Sequence, residues 1–243
     1  MRRITVATPK GGAGKTTLAV NLAGQLAAMG RRVLLIDLDP QGAATGHLLE
    51  DAPARTMADV LAGAADLADV VVDVDVEGLV LAPGGLDLIR LEGKVLPADV
   101  AAALGAIPQE YDYIIIDTPP AWTAKGLALG ACLWAGEILI PVEPSMISLA
   151  GLVPFLELVA GLPGRRRSVG IVPSRVRRTK QAQLVLEALG RHHGDKLLPG
   201  IRSATAMEAA AASRRPIHIH APRHAVAADV AALARAIERK GKR

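Results

Sequence analysis

An apolar, strand-like run near 3–8 passes directly into Lys10-Gly11-Gly12-Ala13-Gly14-Lys15-Thr16-Thr17, and a helical pattern near 15–29 follows at once. A strand that becomes a helix within one glycine-rich turn opens a βαβ unit, and such units build a parallel sheet covered by helices. The same turn carries chemistry. Gly11, Gly12 and Gly14 let backbone N–H groups close around phosphate oxygens with no Cβ in the way. The positive end of the following helix points at the same anion. The pattern is that of a phosphate-binding loop, G-x-x-x-x-G-K-S/T, except that Pro9 stands where its first glycine is expected. In that pattern Lys15 sits on the β- and γ-phosphates and the Thr16 hydroxyl binds Mg²⁺. Residues Lys10, Gly11, Gly12, Ala13, Gly14, Lys15, Thr16 and Thr17 together form the expected nucleotide cradle.

The alternation continues along the chain. Strands are expected near 3–8, 32–37, 78–82, 113–117, 137–141 and 168–173, with a weaker one near 216–219. Helices are expected near 15–29, 97–106, 123–134, 148–160, 179–193, 205–213 and 224–240. Val70 to Glu77 alternates valine with Asp73, Asp75 and Glu77, as a half-exposed edge strand does. The composition is 51% hydrophobic but only 2% aromatic, so the core must be Leu, Val, Ile and Ala, a mixture suited to strands buried on both faces. The expected fold is one doubly wound, mostly parallel α/β domain over residues 1–243, with ligand loops at the carboxyl ends of the strands. No apolar run reaches the length of a membrane span, and Met1-Arg2-Arg3 leads straight into the first strand, leaving no room for a signal peptide. The lone cysteine, Cys132, excludes an internal disulfide, fits a reducing cytoplasm and reads as a buried thiol.

Two further motifs end strands in carboxylates. The second strand leads into Asp37-Leu38-Asp39-Pro40-Gln41-Gly42, and the fourth reads Tyr113-Ile114-Ile115-Ile116-Asp117-Thr118-Pro119-Pro120. Aspartates leaving buried strands beside a phosphate loop are expensive unless they serve Mg²⁺, water or a lysine. An apolar run ending in Asp is the Walker B pattern, whose carboxylate reaches Mg²⁺, commonly through water.

With Lys10 ahead of the loop, these three motifs in order resemble the ParA/MinD family of ATPases, which carries a deviant Walker A sequence. The likeness covers nearly the whole chain and is most specific over residues 10–17, 37–42 and 113–120. It implies ATP and Mg²⁺ as cofactors, with Thr16, Asp39 and Asp117 at the metal. It also implies a homodimer closed over two ATP molecules, in which Lys10 crosses to the other subunit's nucleotide. By the same resemblance Lys10, Lys15 and Asp39 are catalytic, Asp39 positioning or activating the attacking water while Asp37 supports the site. Ala43 stands where the family often has Asn, and residues 143–145 also depart from its commoner pattern. Pro173 and Arg175 lie where the family places its adenine-contacting loop.

Charge narrows the choice of second ligand. Residues 1–150 hold 10 basic and 18 acidic groups, a net of −8, whereas residues 151–243 hold 18 basic and 6 acidic, a net of +12. Such asymmetry points to an anionic partner for the C-terminal third. Arg175, Arg177, Arg178 and Lys180 cluster after a strand, and Arg202, Arg214, Arg215 and Arg223 recur where ParA proteins carry DNA-contacting residues. With no aromatic interleaving, contacts to double-stranded DNA would go to phosphates and ignore sequence. Arg165-Arg166-Arg167 reads instead as solvated loop. No helix-turn-helix precedes the ATPase motifs, so the chain resembles the short ParA type, a cytoplasmic, nucleoid-associated protein that segregates a plasmid or chromosome with a ParB-like partner. Other family roles stay open. A MinD-like or cargo-positioning ATPase would use a membrane or protein cargo, and a ligase of the dethiobiotin synthetase type would use the same loop on a small acid. A nitrogenase iron protein is excluded, because its cluster needs two cysteines per subunit. Val226, Val230, Leu233 and Ile237 make a narrow aliphatic stripe that reads as a helix packed on its own domain rather than a membrane anchor. His218 and His220, two apart on the weak strand, would share a face but lack a third metal ligand.

Overall fold

A computed structural model of the chain describes residues 1–107, 110–121, 125–164 and 168–240. The start of the helix expected at 123, the Arg165–Arg167 run and the last three residues lie outside the described residues. The strands are β1 (Arg2–Val6), β2 (Val33–Asp37), β3 (Val72–Asp73), β4 (Leu79–Ala82), β5 (Tyr113–Asp117), β6 (Glu137–Val142) and β7 (Ser168–Pro173). They form one sheet in the order β3-β4-β2-β5-β1-β6-β7. Every pairing is parallel except that of β3 with β4. The valine-rich segment at 70–77 thus contributes a short antiparallel edge, with Asp73 exposed.

The helices are α1 (Lys15–Ala28), α2 (Ala43–Leu48), α3 (Met57–Leu61), α4 (Leu67–Val70), α5 (Pro97–Gly105), α6 (Lys125–Trp134), α7 (Met146–Ala160), α8 (Lys180–His193), α9 (Ala206–Ala212), α10 (Ile217–His220) and α11 (Ala225–Lys240). A 3-10 helix spans Leu86–Leu91. Because successive strand residues face opposite ways, Val33, Leu35, Tyr113 and Ile115 pack toward α1 and α11, while Leu34, Ile36, Ile114 and Ile116 pack toward α5 and α6. A third cluster joins β6 and β7 to α7 and α8 around fully buried Phe155. Both sheet faces are covered, as the near-continuous apolar strands require. Val226, Val230, Leu233 and Ile237 are all buried against the domain. Cys132 is buried as well.

One expected element is different. The segment at 216–219 is not a strand but the short helix α10, opened by Pro216, whose carbonyl accepts from Ile219 N and His220 N. Its β-branched isoleucines mimic a strand, but proline's preset φ and the contact of Ile217 N with buried Asn21 Oδ1 (2.7 Å) start a helical turn instead. Two residues apart on a helix point in nearly opposite directions. His220 accordingly meets Ser213 Oγ (2.8 Å), while the Nδ1 of His218 is buried with no partner among the described residues, so the two do not form a metal pair.

Candidate active site

Strand register assembles the site. Val6 and Asp37 both lie opposite Asp117, so β1 and β2 end on either side of β5, and the glycine-rich loop leaves β1 beside the two aspartates. Gly12 and Gly14 adopt left-handed backbones, φ 80° and 86°. A residue with a Cβ pays about 1–2 kcal/mol for that conformation. α1 begins immediately afterwards with no side chain capping its first turn, which leaves amide donors for an anion. The loop and the first turn of α1 line a cavity of about 760 Å³. Its other walls come from Asp39-Pro40-Gln41, Ser174-Arg175, the 201–204 segment and Met207. Lys15 is 6% exposed at its base. Thr16 and Thr17 line it too.

The two buried strand-end aspartates differ in one decisive respect. Asp37 is fully engaged: its Oδ1 accepts from Asp39 N (3.0 Å), and its Oδ2 accepts from both Thr45 N and Thr45 Oγ1 (2.9 Å each). Asp117 is equally buried, yet neither of its carboxylate oxygens has a hydrogen-bond partner among the described residues. Burial pushes Asp37 up to about 6, against the pull of the Thr45 and Asp39 donors. Burial, reinforced by Asp37, raises Asp117 well above the usual carboxylate range, opposed by the nearby Thr16 hydroxyl and Lys15. The Thr16 hydroxyl thus faces Asp117 without closing a well-formed bond. Asp39 lines the cavity itself, its Oδ1 accepting from Gln41 N (3.0 Å). Two carboxylates and a hydroxyl, one carboxylate wholly unsatisfied, form an all-oxygen donor set suited to a hard cation such as Mg²⁺.

Lys10 lies elsewhere. It is exposed and lines a second cavity of about 460 Å³, shared with Glu143, Ile147 and Gly151, but not the first. Arg175 sits at the seam of the two. Its Nη1 donates to the Gly12 carbonyl (3.0 Å), from a backbone held at φ 51°. Ser174 Oγ donates to the Ala13 carbonyl (2.6 Å). Pro173 is buried and does not line the cavity; its carbonyl accepts from Ile201 N (2.8 Å) and so holds the 201–204 wall in place. Ser174, Thr45 and that wall are contributions that no sequence pattern signals.

The basic residues of the C-terminal third divide in two. Arg202 is tied to Asp229 of α11 through Nε (2.6 Å), Nη2 (2.8 Å) and its backbone N (3.1 Å), and it borders the large cavity. Arg214 pairs with Glu50 (3.7 Å) and Arg215 with Asp75 (3.0 Å). Arg177, Arg178 and Arg223 are exposed, and none forms an ion pair with the described residues. The arginines expected to be equivalent are therefore not, because acidic side chains from the N-terminal half and α11 reach some of them.

An anion loop at a strand-to-helix junction, flanked by carboxylates at the ends of neighbouring parallel strands, defines a P-loop nucleotide hydrolase. The sequence profile of a family described as an AAA domain matches residues 1–168. The chromosome-partitioning ATPase Soj of Thermus thermophilus is 40% identical over 202 residues, which span 81% of this chain and 79% of that protein. The septum site-determining protein MinD of Pyrococcus horikoshii, solved with Mg-ADP, superposes with a TM-score of 0.81 at 26% identity, over 99% of this chain and 97% of that one. The cobyrinic acid a,c-diamide synthase of Mycobacterium smegmatis, solved with an ATP analogue and magnesium, gives 0.82 at 26% identity, over 100% and 96%. The chain belongs to the ParA/MinD family of P-loop ATPases. Among the described residues no helix is long and apolar enough to cross a membrane.

Proposed function

We propose that this chain is a DNA-partitioning ATPase that dimerises on ATP, holds DNA without regard to sequence as that dimer, and lets go after hydrolysis. The observation that carries this reading is the position of Lys10, exposed on the second cavity and absent from the lining of the first. A lysine that does not line its own subunit's nucleotide cavity is available to another's, which supports this reading. Exposed Met146 and Ile147 at the start of α7 give the same face an apolar rim, and Ile147 borders that cavity.

In this reading the amides of residues 11–17 and Lys15 would hold the β- and γ-phosphates of ATP, and Thr16, Asp39 and Asp117 would hold Mg²⁺. When bound, Mg²⁺ would offset negative charge on the phosphates. Asp39 orients a water whose oxygen bonds to the γ-phosphorus as the bond to the β-phosphate oxygen breaks, giving ADP and phosphate. Lys10 of the opposite subunit stabilises the transferring group much as an arginine finger does. Ser174 and Arg175 keep the loop in shape through its carbonyls, with Pro173 acting one step behind.

Arg177, Arg178 and Arg223 are the arginines best placed for DNA phosphates. Arg214 and Arg215 join only by giving up exposed pairs, which are worth little. Arg202 is better assigned to the cavity wall than to DNA. A ParB-like DNA-binding partner would stimulate hydrolysis, and the protein would work in the cytoplasm on the nucleoid. Burial of the α11 stripe speaks against a MinD-like membrane role. A ligase role shares the fold but gives Lys10 nothing to do.

The test is binding of random-sequence duplex DNA with ATP, ADP or no nucleotide across a salt series. Binding that requires ATP and weakens steeply with salt is expected. Absence of DNA binding in every state overturns the reading; anionic liposome binding would then favour the membrane role, and turnover of a small acid the ligase.

A further inference from the structure

Asp39 carries the water-positioning role proposed above; its Oδ1 accepts from Gln41 N (3.0 Å) and its carbonyl from Gly42 N (2.8 Å), both within its own turn. Its backbone N donates to Asp37 Oδ1 (3.0 Å), and the other oxygen of Asp37 is held by the backbone N and hydroxyl of Thr45 (2.9 Å each). A carboxylate only accepts, so the Thr45 hydroxyl must donate to Asp37. Its lone pair then accepts from Gly84 N at 2.9 Å. Thr45 is buried in α2 and does not line the nucleotide cavity. It is the hinge pin of a relay that runs from the loop after β4, through Thr45 and Asp37, to Asp39. The fit at the far end is tight as well: a Cβ on Gly84 would collide with the carbonyl of Asp37.

We propose that Thr45 is a positioning residue for hydrolysis, fixing Asp37 and through it the backbone from which the Asp39 carboxylate projects. The β4 end of this relay continues into the 3-10 helix, where Leu86 is 69% and Ile89 48% exposed; Ile89 and, just after the helix, Glu92 border the nucleotide cavity. Replacing the hydroxyl by a methyl leaves the Gly84 N–H and one Asp37 lone pair short of a partner where water is excluded. Among the described residues Thr45 hydrogen-bonds to Asp37 and Gly84 and not to the P-loop, so the phosphate cradle keeps its own contacts. The effect therefore falls on the rate and spares nucleotide binding.

Because the role of Thr45 rests on the assignment of Asp39, both are tested together in the full chain with Mg-ATP. Thr45→Val is expected to lower kcat about ten- to a hundredfold, the scale at which small misplacements act. Affinity for a fluorescent ATP analogue should stay within about threefold, and Thr45→Ser should restore most of the rate. Should the valine variant fail to fold, Thr45→Ala removes the same hydroxyl without a new methyl and is judged by the same split. A normal rate without the hydroxyl, or affinity that falls in step with rate, overturns the positioning role. Asp39→Ala separates the two ideas. If it is inactive while Thr45→Val is normal, only the relay falls; if Asp39→Ala hydrolyses normally, the Asp39 assignment falls first.

Discussion

At the scale of single residues, the contrast between Asp37 and Asp117 says most about chemistry. Both are buried, in register at the ends of neighbouring strands, but only Asp117 has two unsatisfied oxygens. The cost of burying such a group stands only if a ligand supplies what the protein withholds. Lys15→Ala should abolish ATP binding, since the lysine is buried at the base of the cavity near that carboxylate. Equilibrium titration with a fluorescent nucleotide checks it, and retained tight binding would remove the P-loop assignment. Asp39→Ala should leave a dimer that persists in ATP, visible by size-exclusion chromatography with light scattering. Rapid decay of that dimer would assign the attacking water to another group. The three motifs holding these residues are legible in sequence because each lies within a few consecutive positions. Thr45 is not, because its importance lies in hydrogen bonds with Asp37, eight residues before it, and Gly84, far beyond it.

Among the described helices, those of seven residues or more are readable in sequence and the shorter ones are not. The period of α1, α8 and α11 is sustained over 14 to 16 residues, whereas α2, α3 and α4 span only 4 to 6 and offer too few turns for a period to register. α10 reads as a strand because two isoleucines alternate with two histidines, a period-two pattern over a single helical turn. Its packing has a measurable result. Burial depresses His218 in α10 and His47 in α2, the latter despite the Arg215 carbonyl at 3.3 Å. Since both titrate lower when folded, the unfolded chain binds more protons below its own value near 6.5. Their contribution is complete above that value and is lost as pH falls through the folded one. Asp37 and Asp117, raised by burial, act with the opposite sign, so the comparison must be between variants. Thermal unfolding at pH 7.5 and 5.5 should show a larger loss for the wild-type chain than for His47→Gln/His218→Gln. Equal losses would mean that neither imidazole is linked to folding.

For the whole molecule, the question is how a charge imbalance becomes a surface. The C-terminal third is basic, but acidic groups elsewhere claim part of it: Asp229 holds Arg202, Glu50 meets Arg214 and Asp75 meets Arg215. Arg177→Ala/Arg178→Ala should therefore weaken DNA binding at every sequence and flatten its salt dependence, by roughly one unit of log–log slope for each phosphate no longer neutralised. An unchanged slope would move the DNA face elsewhere. The amino-acid order by itself determined the parallel α/β sheet, the phosphate loop, the strand-end carboxylates and the self-packed last helix, since each is written as a local period or turn. Only the tertiary structure decided that Lys10 does not line the nucleotide cavity, that Arg202 is tethered while Arg177 has no ion pair among the described residues, and that Thr45 bridges Asp37 to Gly84. Those outcomes depend on which distant side chains the strand register and helix packing bring within hydrogen-bond reach, and no local pattern records them.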